Sequence, residues 1–199
     1  ASGRVYRATG TPNVTLYEAE ARFTGPREIA LSTGEAITAD HVVIATGSRP
    51  VVPEVVQTVP FHTSDTIMRL ASLPARILLL GGGFIAAEFA HVFSSYGVHT
   101  TVVARSGLLR SQDDEIAMLF QKQVAEPWNL RSGVDVVAAD EVDGEIRLTL
   151  DAGTVVSGAV PLVAPGRAHT SDCPGLTPPR LRQPRYRRPS VHRFLPPDP

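Results

Sequence analysis

An α/β fold follows from three observations. An apolar strand, Ile77-Leu78-Leu79-Leu80, runs straight into the glycine turn Gly81-Gly82-Gly83; an amphipathic helical pattern follows; and a second apolar strand comes at the distance a βαβ unit requires. With 199 residues and 43% apolar side chains, the chain can build one ordinary core and a smaller unit beside it, but not two large domains. The net charge of -1 arises from nearly balanced acids and bases, so no overall field draws the molecule to nucleic acid or to an anionic membrane.

Three regions succeed one another. Residues 1–53 begin with short Val-, Ile-, Tyr- and Phe-rich stretches separated by Gly10-Thr11-Pro12-Asn13, Gly25-Pro26 and Thr33-Gly34-Glu35, the spacing of a small antiparallel meander. The run His41-Val-Val-Ile-Ala45 has the continuous apolar character of a strand buried on both faces, and it stops at Thr46-Gly47-Ser48 before an extended crossover over 49–53. Residues 54–163 alternate helix and strand signals. Thr63-Ser64-Asp65 supplies N-cap residues for a short helix over 66–70; a strand over 77–80, a helix over 84–96 and a strand over 99–104 follow. A helix over 113–125, a hairpin over 134–150 and one last strand over 154–163 complete the region. Residues 164–199 are rich in proline and arginine without apolar period and are expected to be disordered.

The turn carries the chemistry. Gly81-Gly82-Gly83-Phe84-Ile85-Ala86 places glycine first and third and alanine sixth, immediately after a strand. Gly81 lets the chain leave the strand tightly, Gly83 removes a Cβ that would meet a pyrophosphate, and Ala86 lets the helix pack closely on the sheet. The first N–H groups of the helix, those of Phe84 and Ile85 among them, then face the phosphates at the positive end of the helix dipole. This is the pattern of a Rossmann-like dinucleotide-binding unit.

At the end of the second strand stands Thr101-Val-Val-Ala-Arg105, where a carboxylate would receive the ribose 2′-hydroxyl of NAD. Arg105, with Arg110 five residues on, suits the 2′-phosphate of NADP instead; the other reading is two solvated loop arginines. Two readings also stand for Glu88: a complement to the helix dipole, or a partner for a cation near a bound cofactor. His91 reads as a helix-face residue.

The ordered set Val42-Val-Ile-Ala-Thr-Gly-Ser-Arg-Pro50, His62-Thr-Ser-Asp65, Leu73-Pro74 and Gly81-Gly-Gly-Phe-Ile-Ala-Ala-Glu88 resembles the middle of the pyridine nucleotide-disulfide oxidoreductases. Within that family, Phe61-His-Thr-Ser-Asp65, the run from Gly83 through His91 and Leu108-Leu-Arg110 are most similar to the mycothione reductases, with glutathione and dihydrolipoamide enzymes as further relatives. The resemblance covers about residues 5–163. It implies that 1–53 is a remnant of an FAD-binding domain and 54–163 an NAD(P)-binding domain, in a flavoprotein where NADPH reduces FAD and FAD reduces a cysteine pair that opens a small-molecule disulfide. Ala45, Thr46 and Gly47 would lie by the FAD, and Glu88 near flavin and nicotinamide. The family forms homodimers, but its dimerisation domain, its first glycine-rich FAD turn and its redox cysteines have no counterpart in these residues. The chain is therefore expected to be inactive alone; a non-catalytic NADP(H)-binding module is the alternative. Leu162-Val-Ala-Pro-Gly-Arg167 resembles the family's second Ala-Thr-Gly-Arg segment with Pro165 in place of threonine, and the likeness is expected to end there, as after a shift of reading frame.

Cys173 is the only cysteine, which excludes a disulfide framework and a CxxC metal site and fits a reducing, cytoplasmic setting; no metal is expected. Cys173 reads as a free thiol. No apolar run spans a bilayer, and the first residues carry no signal pattern. The arginines between 180 and 188 have too little structural context to mark a nucleic-acid surface.

Overall fold

The computed structural model describes residues 13–170 and the backbone of His192–Arg193. They fall into two compact units: Ser48–Ala168, and a second that includes residues 13–47, 169 and 170. In the second unit, β1 (Ala21–Gly25), β2 (Glu28–Leu31) and β3 (Ala36–Thr38) form an antiparallel sheet in chain order. This is the meander that the turn spacing predicts. Its second turn closes through Gly34, at φ +92°, with Leu31 N–H bonded to Glu35 O at 2.8 Å. The predicted stretches before residue 13 lie outside the described residues.

The strand expected over 41–45 is shorter and less buried than its apolar run suggests. Only β4 (Val43–Ile44) is extended, pairing with the backbone of His192–Arg193; Ile44 is buried but Val43 is 64% exposed. A continuous apolar run marks double-sided burial only where a layer covers each face, and here one face is covered.

In the Ser48–Ala168 unit, β5 (Ser48–Pro50) precedes a 3-10 turn at Glu54–Val56 that the periodicity does not show. The helix expected over 66–70 is a single 3-10 turn, Ile67–Arg69, because Leu70 leaves it in an extended conformation at ψ 133°. Then come β6 (Arg76–Leu80), α1 (Phe84–Ser95), β7 (His99–Ala104), α2 (Asp114–Val124) and β8 (Arg131–Ser132). Asp113 caps α2, its Oδ1 accepting from Glu115 N–H at 3.0 Å and Ile116 N–H at 3.4 Å. An antiparallel sheet follows, β9 (Val136–Val142), β10 (Glu145–Leu150) and β11 (Val155–Gly158), its first hairpin turned by Asp143 and Gly144 at φ +54° and +78°. β12 (Val160–Val163) returns to the parallel sheet, whose order is β12-β6-β7-β8.

Three layers result, and they explain why β6 reads as an unbroken apolar run. Ile77 and Leu79 face α1 and Trp128, packing with Ala87, Ala90, Phe93, Val102 and Leu162. Leu78 and Leu80 face the other way, onto Val56, Ile146, Leu148 and Val156. The second covering layer is thus a β-sheet rather than a helix.

The sequence predicts one strand over 154–163, whereas the chain changes sheets at Gly158. Val155–Gly158 pairs antiparallel with β10, and Val160–Val163 pairs parallel with β6. Gly158 is at the crossing because a Cβ there would lie 2.9 Å from Cγ of fully buried Leu78. Gly158→Val is expected to lower stability by about 1–3 kcal/mol through overpacking, seen as a lower urea midpoint at unchanged slope.

Residues 164–170, expected to open the disordered tail, instead include β13 (Arg167–His169), paired with β5. Composition conceals the cause, which is one arginine making four hydrogen bonds. Arg167 Nε donates to Ser48 Oγ at 2.9 Å and Nη2 to Ser48 O at 2.7 Å, while Nη1 reaches Ser64 Oγ and Asp65 Oδ1, each at 3.1 Å. Cys173, the arginines between 180 and 188 and the rest of the expected tail lie outside the described residues, apart from the backbone at His192–Arg193.

Candidate functional site

In an open parallel sheet, ligands bind beyond the carboxyl ends of the strands, and at that end of β6 stands the glycine turn. Both ladders run into it: Gly81 N–H donates to Val103 O at 2.9 Å, and Ala164 N–H donates to Leu80 O at 2.7 Å. The three glycines then meet different surroundings. Gly81 has φ +141°, and a Cβ on it would lie 2.2 Å from Ala164 O. On Gly82 it would lie 2.1 Å from Gly107 O, whereas on Gly83 it would meet nothing within 4 Å.

Gly83 is also the N-cap of α1, and it offers no side-chain cap; the first helical bond runs from Ala87 N–H to Gly83 O at 3.1 Å. The N–H groups of Phe84, Ile85 and Ala86 therefore have no intrahelical acceptor. Ala86 is fully buried against the sheet, which keeps the start of the helix close to β6, while Phe84 is exposed. No acid occupies the first turn. Unpaired donors, the positive end of a helix dipole and the open space beside Gly83 together form a cradle that an anionic phosphate fits.

A second segment is fastened to the turn. Leu109 N–H donates to Gly82 O at 2.6 Å, and Gly107 abuts Gly82 directly. The loop from β7 to α2 is thereby held beside the glycines, with Arg105 before the contact and Arg110 after it. Both arginines are exposed. Arg105 Nη1 lies 3.8 Å from Asp135 Oδ2, with the two side chains 79% and 56% exposed. Such a surface pair contributes little and leaves the guanidinium available to another anion.

Glu88 is exposed on α1, past the first turn, and its side chain has no hydrogen-bond or ion-pair partner among the described residues. Since the dipole effect is confined to the terminal turn, the carboxylate is poorly placed to neutralise the helix end. His91 is likewise exposed on this helix.

Ala45, Thr46 and Gly47 belong to the other unit. Gly47 has φ +80° with open space where a Cβ would be. Thr46 borders a cavity of about 570 Å³ with Glu20, Arg22, Leu31 and Ser32. The corner is braced by Thr170, whose hydroxyl donates to Thr46 O and whose N–H donates to Gly47 O at 3.1 Å.

Residue spacing alone does not reveal Gly82, Gly107 or Gln121, whose Oε1 accepts the Leu108 N–H at 3.0 Å in the loop after β7. The available signals are the middle glycine of the run and the Ser106-Gly107 pair after the strand. Among the described residues, no group of three His, Cys, Asp or Glu side chains could hold a metal, and no helix is long and apolar enough to cross a membrane.

Comparison with known proteins shows the family and the fold. The profile of the family described as pyridine nucleotide-disulphide oxidoreductase matches residues 2–176, past Arg167 where the sequence resemblance is expected to end. Mycothione reductase of Mycobacterium tuberculosis is 43% identical over 180 residues, covering 86% of this chain and 39% of that protein. Glutathione reductase of Burkholderia cepacia is 35% identical over 167 residues, covering 83% and 37%. The chain thus spans about two fifths of the length of these relatives. Among solved structures, the HOCl-induced flavoprotein disulfide reductase RclA from Escherichia coli superimposes with a TM-score of 0.70 at 22% identity, covering 84% of this chain and 40% of that one.

Proposed function

The chain belongs to the pyridine nucleotide-disulphide oxidoreductase family, and we propose that it is the nucleotide-binding part of an NADPH- and FAD-dependent reductase of a small-molecule disulfide, of the mycothione reductase type. The observation that carries this reading is the cradle at the start of α1, with its unpaired N–H groups and open Gly83, beside a loop whose ends bear Arg105 and Arg110. Gly81, Gly83, Phe84, Ile85 and Ala86 take the pyrophosphate through backbone donors and close packing. Arg105 and Arg110 take the 2′-phosphate, since a guanidinium forms charge-assisted bonds that the 2′-hydroxyl of NAD cannot match.

Ala45, Thr46 and Gly47 in the other unit are assigned to the FAD side, supported by the cavity that Thr46 borders and the open space beside Gly47. Bound there, a flavin would supply two-electron transfer between nicotinamide and disulfide. Glu88 is assigned to supporting these cofactors, as an exposed carboxylate without a partner among the described residues. The 199 residues contain one cysteine, so they do not include the dithiol such a reaction uses. Binding of NADP(H) without turnover is accordingly the expected behaviour of this chain by itself.

The test is calorimetric titration of the chain with NADPH and NADH. Replacing Arg105 and Arg110 together by alanine is expected to weaken NADPH binding by about tenfold or more while leaving NADH within about twofold, because only the 2′-phosphate contacts are removed. Equal affinity of the unaltered chain for both nucleotides would reject the NADP assignment. Bound flavin together with NADPH oxidation on addition of a disulfide would reject the assignment of binding without turnover.

A further inference from the structure

We infer that Gln121, on α2 and outside the phosphate cradle, is a positioning residue that sets the preference for the 2′-phosphate by fixing the loop between Arg105 and Arg110. The inference rests on the assignment of those arginines made above.

The loop has an unfavourable backbone. Gly107 has φ +86° and Leu109 φ +54°, so two positions separated by Leu108 are left-handed and the second carries a full side chain. A leucine in that region is strained and persists only where its surroundings enforce it. The enforcing contacts are few. Leu109 N–H reaches Gly82 O at 2.6 Å, Leu109 O receives Gln112 N–H at 2.8 Å, and the Leu108 side chain is 2% exposed in the core. Gly107 N–H also reaches Ala104 O at 3.5 Å and the Leu109 side chain packs on the core; a side-chain contact comes from Gln121, whose Oε1 accepts the Leu108 N–H at 3.0 Å while its Nε2 reaches Ser132 Oγ at 3.5 Å. Gln121 Oε1 also lies 3.0 Å from where a Cβ on Gly107 would be, so glycine at 107 accommodates both the left-handed turn and the glutamine.

Among the described residues, Gln121 is thus the one side chain from beyond the loop that hydrogen-bonds its backbone between the two left-handed residues. Without that acceptor, a part-buried N–H is left unpaired and the strained loop loses one of its restraints. Arg105 precedes this segment and Arg110 follows it, so the loop's conformation determines whether both guanidinium groups reach one phosphate. The pyrophosphate cradle at Gly83 to Ala86 is built by a different segment, and Gln121 bonds Leu108 and Ser132 rather than any of its N–H groups.

The test is Gln121→Met, which keeps the length and volume of the side chain and removes the acceptor. Titration of the full chain is expected to show NADPH binding weakened about tenfold and NADH binding unchanged. In an Arg105→Ala/Arg110→Ala background the same substitution should have no further effect on the ratio of the two affinities, since there the loop has no phosphate contact left to position. An equal loss for both nucleotides, as from general misfolding, would overturn the inference, and so would an unchanged ratio. If the unaltered chain itself shows no preference for NADPH, the NADP assignment fails and this inference with it. If the preference is present but indifferent to Gln121→Met, only this inference fails.

Discussion

Gly83→Val is expected to abolish dinucleotide binding, weakening NADPH and NADH alike by at least about 100-fold, in a protein that stays folded. The two effects separate because of where the missing side chain would go. Nothing lies within 4 Å of a Cβ built on Gly83, and its φ of −82° suits any residue, so the protein itself accommodates valine. A phosphate approaching the N–H groups of Phe84 and Ile85 would find that space filled. The stability cost is only that of a poorer N-cap, about 1 kcal/mol. Calorimetric titration beside a urea melt reads both quantities. Retained binding would mean that the phosphate does not approach through Gly83, and binding lost together with a collapse of stability would mean that the glycine serves the fold.

The centre of the fold is legible in the sequence because its signals are local. The strand, turn, helix and strand from Arg76 to Ala104 lie where apolar period and glycine place them, with α1 ending one residue before the expected 96. Asp113 likewise marks the start of α2 by its own side chain. Reading fails where the deciding partner is remote. The apolar run over 154–163 carries no mark of its change of sheet, since Gly158 is constrained by Leu78, eighty residues earlier in the chain. Residues 164–170 look like the start of a proline-rich tail until Arg167 meets Ser48, Ser64 and Asp65. The candidate site divides in the same way. The residues proposed to hold phosphate follow from motif spacing, but the support from Gly82, Gly107 and Gln121 depends on two loops touching.

That contact makes the second large effect predictable. Gly82→Ala adds one methyl group, yet its carbon would lie 2.1 Å from Gly107 O and 3.2 Å from Gly107 C, and backbone cannot swing aside as a flexible side chain can. Either the glycine turn or the loop after β7 must move, and movement of either breaks the 2.6 Å bond from Leu109 N–H to Gly82 O. Overpacking and the lost bond together are expected to cost about 3 kcal/mol, a fall of roughly 6–12 °C in Tm for a chain of this size. The nucleotide effect should differ from that of Gly83→Val. Displacing the loop carries Arg105 and Arg110 away from the turn, so NADPH should suffer more than NADH, whereas a filled phosphate cradle penalises both equally. An unchanged Tm with full NADPH preference would show that the turn and the loop are not in contact. The opposite pattern, low stability with the preference lost, would show that one glycine couples the integrity of the turn to the choice of nucleotide.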